Sequence, residues 1–132
     1  MWTETFPMIS LGVVFAGMGG LCILRLLPRN RWAGIRTRNI MANDETWSAG
    51  HDAASPWLLA GAASAFGSLV VRDLAAGYQW TPMIVVGMKA LIVVFLFVGA
   101  RLGERAAKRV LRAQEARSRS SGTGGEERRV DR

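Results

Sequence analysis

The side chains able to do chemistry in this chain fall in two places. Between residues 28 and 52 stand four arginines (Arg29, Arg31, Arg36, Arg38), two tryptophans (Trp32, Trp47), three acids (Asp44, Glu45, Asp52) and the single histidine, His51. Further on, Lys89 interrupts an otherwise apolar run. Asp44, Glu45 and His51 are capable of acid–base work. Nothing nearby supplies a nucleophile, a Gly-rich phosphate loop or an HExxH pair, so the reading is of a protein that is not an enzyme. A metal needs about three or four ligands, and His51 has no second His or Cys beside it. No metal and no cofactor is expected. A hydrogen bond that ties His51 to the loop before it is the better reading. Were residues 44–52 helical, Asp44, Trp47 and His51 would share one face, with Trp47 and His51 one turn apart. Cys22 stands alone in an apolar run and reads as a small buried residue.

Three almost unbroken apolar stretches must position these groups. They cover about residues 6–27, 53–71 and 82–100. A soluble helix or strand interleaves polar residues at its own period; these runs do not. Each has the roughly 20 residues needed to cross a hydrocarbon core. The expected fold is therefore an all-α integral membrane protein with three transmembrane helices in a domain spanning residues 1–100. The first run lacks the basic leader and short core of a cleaved signal peptide, and Pro7 sits at its expected start. Asn43 with Asp44 and Glu45 has the form of a helix start, which predicts a short interfacial helix before the second span and a bend near Pro56. Tyr78 and Trp80, in the connector 72–81, suit an aromatic belt. Small residues predict close helix packing: Gly12, Ala16 and Gly20 in the first span, Ala60, Ser64 and Ser68 in the second, Gly87 near Ala90 in the third. The second span is the expected centre. Residues 101–117 read as a helix with a thin apolar stripe of Leu102, Ala106, Val110 and Ala113. Residues 118–132 have little to bury and read as disordered.

The charge has a direction. The net charge is +7, and its location excludes a nucleic-acid face. The loop 28–52 carries four arginines, the connector one (Arg72), and the tail from Arg101 to Arg132 ten Lys and Arg. Basic loops stay in the cytoplasm. Three spans place the loop and the tail on that one side and the N-terminus outside. Basic residues just inside a span also attract anionic lipid headgroups. Arg25 and Lys89 lie near span ends, where long stems snorkel. Lys89 would snorkel or pair with Asp73; an ionisable residue in a span is also a candidate for ligand contact or a polar pathway. Trp32 and Trp47 read as headgroup anchors, and Arg36 as a partner for Asp44 or Glu45, with Gly34 allowing a tight turn.

The loop also carries an ordered pattern: Asn30, Trp32, Gly34, Ile35, Arg36, Thr37, then Asp44, Glu45, Trp47 and His51. This string resembles the SdpI family of bacterial membrane proteins, which are related to an immunity protein against a secreted toxin. The resemblance implies a three-helix domain in the bacterial plasma membrane with a motif loop on its cytoplasmic side. It further implies toxin immunity or envelope signalling, through a protein or peptide partner bound at the ten motif residues. The founding member has further spans before the motif domain, and the basic tail is not part of the family pattern. An accessory subunit of a membrane complex or a small solute transporter using Lys89 is the alternative.

Overall fold

The computed structural model describes residues 2–30, 32 and 34–130, with side chains from Thr5 to Ser120 apart from 31 and 33. Arg31 and Arg132 lie outside the described residues, as do the side chains of Arg128 and Arg129. The described chain is helical, with three helices joined by a folded loop and a short turn. All three helices are long and apolar enough to cross a membrane.

Helix α1 spans Trp2–Ile23. It starts earlier than expected, leaving Pro7 inside it, and stops four residues short of Leu27. The stop is built from the backbone. Arg25 adopts a left-handed conformation, φ 54°, while the Leu26 N–H donates to the Leu21 carbonyl and the Arg25 N–H to the Cys22 carbonyl. This 6→1 and 5→2 pair closes a helix end, and Pro28 then keeps Leu27 out of the helical region.

Helix α2 spans Asp44–Leu74 as one element. The interfacial helix expected before the second span is not a separate element; residues 44–52 are the first turns of the same helix and precede its apolar run. Asn43 caps it reciprocally: its side chain accepts from the Thr46 N–H at 2.9 Å, and the Thr46 hydroxyl accepts from the Asn43 N–H at 3.0 Å. Pro56 cannot donate to the carbonyl of Asp52. The Ser55 hydroxyl takes that carbonyl instead, at 3.0 Å, so the helix passes through the proline.

Helix α3 spans Thr81–Val130. It does not end near Ala100, and it runs on through residues 118–130, which composition marked as unstructured. No proline interrupts that stretch, and extending a formed helix is far easier than nucleating one.

α2 is the centre, as expected. α1 and α3 both pack along it, antiparallel, and among the described residues do not pack on one another. The α1–α2 seam interlocks large on small: Phe66 lies over Gly12, Leu59 over Gly19, and Phe15 over Gly61. The α2–α3 seam is closer. A Cβ on Gly103 would stand 2.7 Å from the Gly50 carbonyl oxygen, and one on Gly99 would stand 3.1 Å from the Trp57 Cβ. Gly99, Gly103 and the buried Ala107 follow at four-residue spacing on α3 and face Gly50 and Ala54 on α2. This stripe was not anticipated. The Gly87 that was expected to pack, and Gly20 on α1, have open space beside them.

The seam continues past the apolar runs into a small core at the loop end of the bundle. Ile40, Trp47 and Ala107 are buried there, with Leu27, Ile35 and Met41 against them. Hydrophobic burial operates where water is the alternative and not between spans in lipid. This core therefore clamps the loop end, while small-residue packing holds the spans.

Candidate functional site

The loop 28–43 is held to the helix ends on either side of it, and its motif residues divide by what they touch. At its centre is His51, 2% exposed. One ring nitrogen, Nδ1, lies 2.9 Å from the carbonyl of Trp47 one turn earlier. The other, Nε2, accepts the backbone N–H of Ile35 at 3.1 Å. An acceptor role for Nε2 puts the proton on Nδ1, so the ring is neutral and donates to Trp47. The loop tie expected of His51 is present. It is paired with an indole: the Trp47 and His51 rings are in contact, centroids 4.0 Å apart and planes tilted by 32°.

Trp47 is not an interfacial anchor. It is 2% exposed, and its indole N–H donates to the Leu27 carbonyl at 2.9 Å. That carbonyl lies beyond the end of α1, where no helical N–H takes it. Gly34 lies directly over this pair. Its φ is +106°, and a Cβ there would stand 2.4 Å from His51 Nε2 and 3.0 Å from the Trp47 ring. The glycine is required twice, for the backbone conformation and for the approach.

Thr37 and Asn39 reach across to α3, and both donate to the carboxylate of Glu104. Lys108 adds an ion pair one turn on, 3.4 Å. These donors, Thr37 foremost, hold the Glu104 carboxyl below the usual carboxylate range. Sequence alone does not connect Glu104 to the loop, because it lies in the basic tail more than sixty residues away. Its only local signal is the i,i+4 pair with Lys108. Gln114 is a second such residue: it accepts from the Asn43 amide at 3.0 Å and donates to Glu45 at 2.6 Å.

The arginine that grips Asp44 is Arg29, at 3.0 Å; it also reaches the carbonyls of Met41 and Ala42. Arg25, expected to snorkel, pairs with Asp52 at 3.1 Å. Both pairs are well exposed and orient the loop more than they stabilise it. Asn30 makes a local turn, accepting from the Trp32 N–H and donating to the Pro28 carbonyl. Trp32 is 91% exposed. Arg36 and Arg38 are exposed on the same loop.

Lys89 is far from this cluster. It lines a small cavity of about 10 Å³ with Met8, Ser68, Leu69, Arg72 and Val85. Asp73, proposed as its partner, is ion-paired to Arg72 at 2.8 Å. Among the described residues no group of three or more His, Cys, Asp and Glu is arranged to hold a metal.

The sequence model of the SdpI/YfhL protein family matches residues 26–99, more than half of the chain. The chain belongs to the SdpI/YfhL family. The match begins just after the α1 stop and runs through the loop, α2 and the apolar part of α3, so the family region contains every motif residue named above. Glu104, Ala107 and Gln114, the α3 residues that hold the loop, lie beyond it. No curated protein and no solved structure matches the chain.

Proposed function

We propose that this SdpI-family protein is a non-enzymatic receptor-like protein of the bacterial plasma membrane. Its N-terminus lies outside and its loop and tail are cytoplasmic. The loop binds a protein or peptide partner, in toxin immunity or envelope signalling. The observation that carries this reading is the division of labour within the motif. Gly34, Ile35, Thr37, Trp47 and His51 are spent on building the loop, and Asp44 and Glu45 on tethering it. Trp32 and Arg36 stay on the surface with Arg38. An exposed tryptophan beside arginines, on an ordered frame, has the composition of an interface hot spot. The positive-inside rule supports the orientation, because the loop and the tail are the two basic segments.

The alternative of a solute transporter built on Lys89 is less well supported. The cavity beside Lys89 is about 10 Å³, room for about one water at most.

The test is photocrosslinking in cells from a photoreactive residue at position 32 of the full chain. We expect a discrete protein or peptide adduct that is lost when Arg36 is changed to Ala. Adducts to lipid alone would overturn the reading. Position 47 is unsuitable for such a probe because Trp47 is buried and structural.

A further inference from the structure

Where the apolar part of α3 ends, its outer face carries an open groove of about 290 Å³ lined by Phe97, Val98, Arg101, Leu102 and Arg105. Phe97, Arg101 and Arg105 follow at four-residue spacing, so they form one stripe along the helix; Val98 and Leu102 form the row beside it. Phe97 is 64% exposed, and both arginines are exposed. The acid nearest in sequence, Glu104, is turned away: it serves Thr37, Asn39 and Lys108 on the packed side of α3. Neither Arg101 nor Arg105 enters an ion pair or side-chain hydrogen bond among the described residues.

We propose that this groove is a binding site for one anionic phospholipid. An acyl chain lies along Phe97, Val98 and Leu102, and the headgroup phosphate sits between the guanidiniums of Arg101 and Arg105. Two observations decide the occupant. The stripe changes from apolar to doubly cationic within one turn, at the level where a bilayer changes from hydrocarbon to phosphate. The cations are arginines, whose planar forks take phosphate oxygens bidentately. A peptide partner would have no reason to meet that boundary, and a free phosphate would leave Phe97 and Leu102 unexplained. The inference rests on α3 crossing a bilayer and not on any partner at the loop.

The test uses the full chain purified in neutral detergent. Native mass spectrometry would follow retention of phosphatidylglycerol and phosphatidylcholine added at equal concentration, with inorganic phosphate as a further arm. Phosphatidylglycerol should be retained selectively, and phosphate alone should not bind. Removing the arginines should weaken retention about fivefold each, roughly thirtyfold in R101A/R105A. R112A/R117A, which removes the same charge further along the tail, should change it less than twofold. R101K/R105K should fall between, keeping charge but losing the fork. The melting temperature without lipid reports whether each variant is folded; should R101A/R105A fail that check, the lysine pair and Leu102→Gln decide. Equal retention of both lipids, equal loss in R112A/R117A, or full retention in R101A/R105A or in both fallback variants would overturn the site.

Discussion

At the scale of the residue, the loop depends on a few atoms that admit no substitute. Gly34 has a positive φ and lies against His51 Nε2. Gly34→Ala should cost roughly 1–3 kcal/mol through backbone strain alone, with the steric clash in addition. The check is a lowered melting temperature in detergent together with faster hydrogen exchange at Ile35. Trp47 fills the small core and satisfies the Leu27 carbonyl. Trp47→Ala should cost about 3–5 kcal/mol, whereas Trp32→Ala should leave the melting temperature unchanged, since Trp32 is 91% exposed. Were Trp47 an interfacial anchor and no more, the two substitutions would cost about the same. His51 adds a pH dependence whose sign follows from its bonds. The neutral ring accepts the Ile35 N–H through Nε2. Protonation turns that nitrogen into a donor facing a donor, so the neutral form is the one the fold favours. The stability it contributes is present at neutral pH and lost on acidification. Hydrogen exchange at Ile35 should therefore quicken as pH falls below the ordinary imidazole range, after correction for intrinsic exchange. His51→Gln should abolish that dependence.

At the scale of the element, the distinctive feature is the length of α2 and α3 beyond the apolar runs. Their extensions meet through Gly50 and Gly103, with Ala107 buried in the small core beyond. A larger residue at position 103 must separate the helices, because the obstacle is a backbone carbonyl. Gly103→Val should destabilise by roughly 1–3 kcal/mol. Gly87→Val, on the same helix with nothing within 4 Å, should be neutral. Thermal unfolding of the two variants in one detergent gives the comparison, and equal behaviour would refute the assigned seam. The carboxylate of Glu104 joins the loop to α3. Glu104→Ala leaves the Thr37 hydroxyl and the Asn39 amide without their acceptor, at about 1–3 kcal/mol. The loop should then become more sensitive to trypsin at Arg36 and Arg38, while the spans remain resistant. Unchanged cleavage would mean that the loop is held by His51 and Trp47 alone.

At the scale of the whole molecule, two kinds of packing divide the chain. In the span region the helices touch through glycines and alanines, and large apolar side chains such as Phe6, Met83 and Phe97 face outward. At the loop end a small core and a set of side-chain hydrogen bonds take over. This asymmetry, with basic residues in the loop and the tail, supports a single orientation. A green fluorescent protein fused after Arg132 should fluoresce in intact bacterial cells, and an alkaline phosphatase at the same point should be inactive. The opposite outcome would place the loop outside and remove the basis for a cytoplasmic partner.

Much of this was legible in the chain itself. Span number follows from local apolar runs, because the requirement that a segment satisfy its own backbone in lipid is local. The α2 start was equally readable, since Asn43 and the first-turn acids act within four residues. Membership of the SdpI/YfhL family was carried by an ordered string of loop residues. What the tertiary structure alone decided were contacts across distant sequence. Thr37 and Asn39 meet Glu104, Asn43 and Glu45 meet Gln114, Trp47 meets Leu27, and Gly34 meets His51. Each depends on the axial register of two helices and on where α1 stops, and no local pattern encodes that register. For the same reason Trp47 and Trp32 looked alike as sequence. Which was buried depended on the α3 extension that supplies Ala107, and a run of arginines gives no sign of the packed face it carries.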